Sequence, residues 1–375
     1  MIDGQFTLGV EEEYQIVDPE TRELRSYVSE IIEGGKTVLR ERVRPEMHQS
    51  MVEVGTTICN DVAAVKAQLT EMRGELDRLA RRGGLRIVAA STHPFSDWKD
   101  QPITENPRYH NIVNDLQDVA RANLIFGLHV HVGIKEKEVA LALANQIRYF
   151  LPHLLALTNS SPFWMGRRTG LMSNRCALFK RFPRTGIPDE FESVEELDRF
   201  TKLLIKTGCI DNGKKIWWDV RTHYMYDTVE IRICDMPTNL EHTVALVALI
   251  QALMAKLYLM YRRNTGWRNY MRALIEENKW RALRYGSDAK LIDFGMQMER
   301  PFPDLMKEMV ELVQETTGIF GTAEYMKMIL KMATEGTSAH RQIEVYERAG
   351  GEKNNQGALT AVVDHLIQET MRGVG

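Results

Sequence analysis

Carboxylates at alternating positions are the first feature of this sequence that could do chemistry. The segment LGVEEEY (residues 8–14) carries three consecutive glutamates, and these glutamates follow a run of β-type residues, Gln5–Val10. If this run continues as a strand, Glu11 and Glu13 point to one face of a sheet and Glu12 to the other. Two carboxylates about 7 Å apart on one face repel each other unless a cation lies between them. Taken alone, the segment is compatible with a metal site and with a solvated edge strand.

Three further segments repeat this arrangement. Glu53 lies in QSMVEVGTTICND, His129 and His131 lie in GLHVHVG, and Glu230 and Arg232 lie in TVEIRICD. In the last two segments the intervening residues are apolar, so the polar face lines a cavity or meets water. Each group has a structural alternative: a surface ion pair, a hydrogen-bonded sheet histidine or a cross-strand salt bridge. Their recurrence on four segments favours one shared site.

Most of the candidate ligands are oxygen atoms. Four carboxylates and one or two imidazoles suit a hard divalent cation, so we expect Mg²⁺ or Mn²⁺, whereas zinc would want more His or Cys. Such metals are usually held partly through substrate phosphates. The sequence has neither a GxxxxGK[ST] loop nor a GxGxxG after a strand, so metals and arginines would have to hold a nucleotide.

A basic loop could supply those arginines. Its cationic residues are Arg167, Arg168, Arg175, Lys180, Arg181 and Arg184. An arginine fork suits phosphate or carboxylate oxygens. For any single residue here, a solvated basic loop is an equally good explanation.

Composition narrows the class of protein. The chain has 375 residues, 44% of them apolar, and a net charge of −3, which gives no sign of a nucleic-acid surface. The opening residues lack the pattern of a signal peptide, and the four cysteines form no CxxC pair, so we expect reduced thiols in the cytoplasm. The longest apolar stretch, Thr243–Met260, contains Gln251 and Lys256 and is interpreted as a buried helix, with no membrane span.

The order of elements indicates an α+β fold. We expect strands within residues 50–58, 85–90, 124–134, 216–220 and 228–234, and helices over 60–82, 111–123, 136–157 and 193–206. Residues 159–191 form a long irregular segment, whose apolar content argues that it is ordered. From Asn239 onward the chain is almost all helix. A mostly antiparallel sheet fits better than a doubly wound fold, because regular βαβ alternation is missing.

Five segments together resemble the bacterial carboxylate–amine ligases, also called type 2 glutamate–cysteine ligases. These segments are LGVEEEY, QSMVEVGTTICND, GLHVHVG, SNRCALFKRFPRTGIP and TVEIRICD. Each is weak alone, but their common order is specific, and the match covers most of the chain. The resemblance implies a glutamine-synthetase-like catalytic fold in which the sheet forms an active-site funnel flanked by helices. It also implies one domain over residues 1–375, whose helical part spans about 239–375.

The resemblance implies roles for individual residues. The metal ligands would be Glu11, Glu13, Glu53, His129 and Glu230, with Asp61 and His131 as further candidates. Glu53 and Arg232 would belong to the catalytic set, and Arg232 would contact the transferred phosphoryl group. Arg175 and Arg184 would bind substrate carboxylate or phosphate. Asp61 has a competing explanation as the cap of the helix that follows it.

The implied reaction uses ATP with Mg²⁺ or Mn²⁺ and makes an amide through an acyl phosphate. The partners would be a small carboxylate and an amine, glutamate and cysteine by family name, with no nucleic acid or membrane and with further copies of the chain as a homo-oligomer. Two alternatives stay open. The first is a guanidino-kinase-like enzyme that stops after phosphoryl transfer, and the second is a non-catalytic protein that binds nucleotide or metal. The residues do not select the substrates or the number of metal ions.

Overall fold

The computed structural model describes residues 6–35 and 39–374. Its strands are β1 (Leu8–Val17), β2 (Val43–Pro45), β3 (Met51–Gly55), β4 (Arg86–Val88), β5 (Leu128–Gly133), β6 (Phe163–Trp164), β7 (Arg167–Arg168), β8 (Thr185–Gly186), β9 (Trp217–Trp218), β10 (Val220–Thr222), β11 (Thr228–Ile231), β12 (Lys290–Asp293) and β13 (Met298–Pro301). Its α-helices are α1 (Val28–Gly35), α2 (Val62–Arg82), α3 (Pro107–Leu116), α4 (Asp118–Arg121), α5 (Lys137–Ile147), α6 (Leu151–Thr158), α7 (Asn174–Phe179), α8 (Val194–Lys206), α9 (Leu240–Arg262), α10 (Arg272–Tyr285), α11 (Phe302–Leu312), α12 (Gln314–Phe320), α13 (Tyr325–Glu335), α14 (Ser338–Arg348) and α15 (Asn355–Thr370). Short 3-10 helices occur at Arg40–Arg42, Trp98–Asp100, Arg148–Phe150, Gly213–Lys215, Gly286–Asp288 and Gly351–Asn354.

A seven-stranded sheet organises these elements. Its order is β10-β11-β5-β1-β3-β2, and β4 pairs with the far end of β1. All of its pairings are antiparallel. Strand β1 is central because it pairs with β5 along its first half, with β3 along its second half and with β4 at its end. The predicted fold class, α+β with a mostly antiparallel sheet and flanking helices, is confirmed.

The two faces of β1 have different environments. Val10, Glu12 and Tyr14 are buried on the face covered by helices, whereas Glu11 and Glu13 are partly exposed on the other. Glu12 is buried because it forms an ion pair at 2.5 Å with Arg73 of α2, and the Tyr14 hydroxyl also donates to it. The predicted alternation is therefore present, and Glu12 belongs to the core.

Helices α2 and α9 pack behind the sheet. Helix α2 carries an apolar stripe, and Asp61 caps its start by accepting a hydrogen bond from the Ala64 amide at 2.7 Å. Helix α9 is long and apolar enough to cross a membrane by length and composition alone, but most of it is buried inside the protein. Its predicted role as a buried helix is confirmed.

A kink or break near Pro152 was expected in the helix over 136–157, and the structure has one: the segment divides into α5, a 3-10 turn and α6, with Pro152 in the first turn of α6. The structure differs from the expected elements in one place. The C-terminal third was expected to be almost all helix, but it also contains the hairpin β12–β13. Residues 159–191 are ordered, as predicted, and include α7 and three short strands.

Candidate active site on the polar face of the sheet

Two groups of candidate metal ligands lie on the sheet face opposite α2 and α9. Glu11, His131 and Glu230 form the first group, and their ligand atoms lie within 4.8 Å of one another. Glu13, Glu46 and Glu53 form the second group with the same spacing. Strand register brings them together, because Glu13 lies opposite Glu53, Glu11 opposite His129, and His131 opposite Glu230.

His131 is oriented like a metal-binding histidine. Its Nδ1 hydrogen bonds to the Thr228 hydroxyl at 3.1 Å, whereas its buried Nε2 has no hydrogen-bond partner within residues 6–35 and 39–374. That Nε2 lies 3.8 Å from Glu11 Oε2 and 3.9 Å from Glu230 Oε1. A hydrogen bond at one ring nitrogen that leaves the other facing carboxylates is the usual outer-shell arrangement of a ligating histidine.

His129 lies beside the first group and already has a partner. Its Nδ1 is 3.1 Å from Glu11 Oε2 and 3.5 Å from Arg232 Nη1. Burial lowers the pKa of His129 to about 4, and the neighbouring Arg232 acts in the same direction. The imidazole is therefore neutral near pH 7, which is the form a metal requires. The structure thus places both histidines beside Glu11.

Two arginines hold Glu230. Arg221 Nε donates to Glu230 Oε2 at 2.7 Å, and Arg232 Nη1 donates to Glu230 Oε1. Burial alone would raise the pKa of Glu230, but these two guanidinium groups hold that pKa well below its usual value. Glu230 is therefore an anion even though its side chain is almost fully buried. Arg232 Nε is also buried and has no hydrogen-bond partner in the part of the chain that the structure describes.

The second group gathers like charges. Burial raises the pKa of Glu13 to about 8, and the nearby Glu46 adds to this shift. The pKa of Glu53 is raised well above its usual value by burial and by the charges of Glu11, Glu46 and Glu13. Arg44 is the cation beside the group, but its Nη1 lies 3.7 Å from Glu53 Oε1 and its side chain is largely exposed. Arg175 and Arg232 act to lower the pKa of Glu13, but burial and the charge of Glu46 outweigh them.

These donors fit divalent cations. A cation between Glu13, Glu46 and Glu53 would remove the repulsion that raises their pKa values. A second cation would give the unpartnered His131 Nε2 a ligand role beside two carboxylates. The set is rich in oxygen and contains no thiolate, which suits Mg²⁺ or Mn²⁺ better than zinc.

Three of the predicted site residues lie elsewhere or act differently. Asp61 caps α2, is exposed and lies outside both ligand groups, which favours the cap over the ligand assignment. Arg184 donates its Nε to the Lys215 carbonyl at 3.0 Å and stacks over Trp217, so it contacts neither ligand group. Arg175 lies beside the site, but its Nη atoms bind backbone carbonyls.

Two residues at the site were not predicted. Glu46 directly follows β2 and enters the second group from outside any alternating strand. The only sequence signal is its place seven residues before Glu53. Arg221 faces Glu230 because β10 and β11 form a hairpin. That pairing could have been predicted from sequence by placing a turn between residues 222 and 228, which would pair the two short strands.

Comparison with known proteins identifies the family. The sequence profile described as glutamate-cysteine ligase family 2 matches residues 7–365. The chain belongs to this family. A Sorangium cellulosum protein provisionally named glutamate–cysteine ligase 2 is 62% identical over 376 residues, covering 100% of this chain and 98% of that protein. A Chloroflexus aurantiacus protein of the same provisional name is 53% identical over 372 residues, covering 99% and 94%.

Solved structures share the fold of this glutamate–cysteine ligase family member. A glutamate–cysteine ligase from Francisella tularensis, in complex with AMP, has a TM-score of 0.71 at 12% identity and covers 99% of this chain and 93% of its own. A bifunctional glutathione synthetase from Pasteurella multocida has a TM-score of 0.70 at 14% identity, covering 98% of this chain but 53% of its own. The predicted family, and with it the class of ATP-dependent ligase that forms a carbon–nitrogen bond, is confirmed.

Proposed function

We propose that this chain uses ATP to convert a substrate carboxylate into an acyl phosphate and then joins the acyl group to an amine. Glutamate and cysteine are the proposed substrates, because the family and the similar proteins carry those names. One observation carries the proposal. Two groups of side chains that could each bind a cation lie side by side on one sheet face. Arg232 contacts the first group by donating a hydrogen bond to Glu230.

The proposed reaction has two steps. A carboxylate oxygen of the substrate attacks the γ-phosphorus of ATP, the bond to the bridging oxygen breaks, and ADP leaves. The amine nitrogen then attacks the acyl carbon, the carbon–oxygen bond to phosphate breaks, and the nitrogen loses one proton. Neither step needs a covalent nucleophile on the protein. Catalysis therefore depends on positioning and on charge stabilisation.

Arg232 is the proposed contact for the phosphoryl group in transfer. Its Nη1 is bound to Glu230, which fixes the guanidinium, while its buried Nε has a hydrogen atom without an acceptor. A buried cation with a free donor suits an oxygen that gains negative charge during the reaction. Arg221 supports this arrangement because it binds the other oxygen of Glu230.

Divalent cations would be held by the two ligand groups already described. Glu11, His131 and Glu230 would hold one, with His129 adjacent, and Glu13, Glu46 and Glu53 would hold another. Mg²⁺ or Mn²⁺ bound there would neutralise phosphate charge and hold the oxygens in line. We also propose, as predicted from the sequence, a single domain, a cytoplasmic location and a homo-oligomer.

The test of this function is phosphate release from ATP and Mg²⁺ by the pure protein, across a grid of amino-acid carboxylates and amines. Release that requires both glutamate and cysteine is the expected result. A stable phosphorylated product without amide would support the kinase alternative. Nucleotide binding without turnover in any well would support the non-catalytic alternative, and either result would overturn the proposal.

Two variants test the assigned residues. Arg232→Ala should lower kcat by roughly 10²- to 10³-fold, because it removes a charge that acts on the transferred group. Glu53→Gln should abolish cation-dependent turnover while the fold is kept. Glu23→Gln is the matched control, since Glu23 is an exposed glutamate outside both ligand groups. Normal turnover by Glu53→Gln would contradict the metal assignment.

A further inference from the structure

The backbone that carries Arg232 lies just beyond the end of a strand. Strand β11 ends at Ile231, so Arg232 and Ile233 are outside the ladder between β11 and β5. Their amides both donate to the Asp219 carbonyl, at 2.8 and 3.2 Å. Among the described residues no backbone amide donates to their own carbonyls, so side chains must supply the donors.

Arg175 supplies a donor to each carbonyl, and the Cys176 thiol adds a second, weaker donor to the Ile233 carbonyl at 3.6 Å. Arg175 Nη2 donates to the Arg232 carbonyl and its Nη1 to the Ile233 carbonyl, each at 3.1 Å. The side chain is only 5% exposed, and both of its Nη groups are bound to backbone, whereas its buried Nε has no hydrogen-bond partner among the described residues. Gly127 makes this approach possible, because a Cβ at that position would lie 2.5 Å from Arg175 Nη2.

A buried carboxylate anchors Arg175 in turn. Asp235 accepts hydrogen bonds from the Ser161 hydroxyl and the Ser173 hydroxyl at 2.8 Å, and from the Ser160 amide at 3.0 Å. It also lies 3.9 Å from Arg175 Nη1. The Asp235 side chain is fully buried, so it is a fixed point in the structure.

The same network fixes the main chain of Arg175. Ser173 caps α7 by accepting from the Cys176 amide, and Ser161 Oγ accepts from the Arg175 amide at 3.1 Å. Both hydroxyls then donate to Asp235. Asp235 therefore fixes the first turn of α7, where Arg175 lies, and also faces the Arg175 guanidinium.

We infer that Arg175, anchored by Asp235, is a positioning residue for Arg232 and does not bind substrate. This inference rests on the role proposed above for Arg232. The family resemblance pointed instead to a ligand-binding arginine, and the two roles make opposite kinetic predictions. An arginine that binds the ground-state substrate changes KM, whereas one that orients a transition-state contact changes kcat.

The experiment compares Arg175→Gln, Arg175→Lys and Ser173→Ala with the wild type in the phosphate-release assay. Arg175→Gln should lower kcat by roughly 10- to 100-fold, with KM for ATP and for the carboxylate substrate changed by less than about twofold. Arg175→Lys should recover little of the kcat lost in Arg175→Gln, because one ammonium group cannot donate to both carbonyls in the geometry of a guanidinium fork. Ser173→Ala keeps Arg175 and should give a smaller loss of kcat with the same unchanged KM.

Repeating the Arg175 substitution in an Arg232 variant shows whether Arg175 acts through Arg232. In Arg232→Lys protein, Arg175→Gln should cause little further loss of kcat, because the contact that it positions is already altered. Multiplied losses, or a raised KM with unchanged kcat, would overturn the inference. Arg181→Gln is the matched control in the same loop, since Arg181 is exposed.

The test of the positioning role does not depend on whether the Arg175→Gln variant folds. If Arg175→Gln does not yield folded protein, the same kcat and KM comparison is made with Arg175→Lys and Ser173→Ala. A wild type without amine-dependent phosphate release would refute the proposed function itself. An active wild type in which the Arg175 variants change KM alone would refute only the positioning role.

Discussion

Glu13 and Glu53 lie directly opposite each other on the antiparallel strands β1 and β3. Glu46 brings a third carboxylate within 4.8 Å of both. Like charges at this spacing in a buried setting are unfavourable unless protons or cations intervene. In the metal-free protein the raised pKa values of Glu13 and Glu53 mean that protons meet this requirement, and a bound cation would take their place.

The first prediction concerns this second ligand group. Adding Mg²⁺ or Mn²⁺ at about 100 times its Kd should stabilise the wild type by about 2.7 kcal/mol for each site filled. Glu53→Gln should lose the part of that stabilisation that belongs to its group and should melt higher than wild type in EDTA, because folding no longer has to protonate a buried carboxyl whose pKa is raised. Thermal melts with EDTA and with metal test both statements. Equal metal-induced shifts in the two proteins would contradict the assignment.

The second prediction separates neighbouring glutamates of β1 by the face they occupy. Glu12→Gln removes the partner of the fully buried Arg73 and should destabilise the protein by about 3–5 kcal/mol. Glu13→Gln should leave the free energy of unfolding of the metal-free protein equal or higher, while cation-dependent turnover is lost. Urea unfolding in EDTA measures the first effect, and phosphate release measures the second. A similar loss of stability in both variants would show that the faces are not distinct.

The alternation that makes this contrast could be predicted from sequence, because side chains in a strand alternate with a period of two. The same reasoning predicted the shared face of Glu11, Glu13, Glu53, His129 and Glu230, although their roles stay predictions. Strand register adds what no single segment contains: which of these residues face each other.

Other features were beyond the sequence pattern for physical reasons. Glu46 follows Pro45 at the end of a three-residue strand, so no alternation marks it. The role of Arg175 depends on which groups its guanidinium contacts. The sequence around an arginine does not show whether its guanidinium contacts substrate or backbone. The hairpin β12–β13 has strands of four residues within a helical region, which is too short for a clear period.

The third prediction concerns acid sensitivity through His93. This fully buried imidazole donates from Nε2 to the Arg22 carbonyl and accepts at Nδ1 from the Phe95 and Ser96 amides. Burial lowers the pKa of His93 to about 3, from 6.5 in the unfolded chain. Between these values the unfolded state binds more protons, so stability falls as pH drops below 6.5. From pH 6.5 to pH 5 the loss from this residue is about 2 kcal/mol.

His93→Gln tests this assignment because an amide can accept and donate in similar directions but does not titrate. Urea unfolding in EDTA at pH 7.5 and pH 5.0 should show a pH-dependent loss that is smaller by about 2 kcal/mol than in the wild type. His110→Gln is the control, since His110 is exposed and should leave the wild-type loss unchanged. An unchanged loss in His93→Gln would assign the acid sensitivity to other groups.

The last prediction links the helical C-terminal third to the site. Lys279 of α10 forms a buried ion pair with Asp219 at 2.5 Å, and the Asp219 carbonyl accepts from the amides of Arg232 and Ile233. Lys279→Met leaves the Asp219 carboxylate buried and unpaired, so it should destabilise the protein by about 3–5 kcal/mol. The Arg232 backbone should also become less fixed, so kcat should fall more than KM changes.

The double variant Asp219→Asn/Lys279→Met distinguishes charge burial from lost packing. Removing both charges should recover a large part of the stability lost in Lys279→Met, because the penalty comes from the unpaired carboxylate. Lys290→Met, at an exposed position of β12, is the control and should change the free energy of unfolding by less than about 0.5 kcal/mol. If the double variant is as unstable as Lys279→Met, packing around the lysine stem is the main contribution of Lys279. The helical third would then support the site mainly through packing, and the ion pair between Lys279 and Asp219 would contribute little to stability.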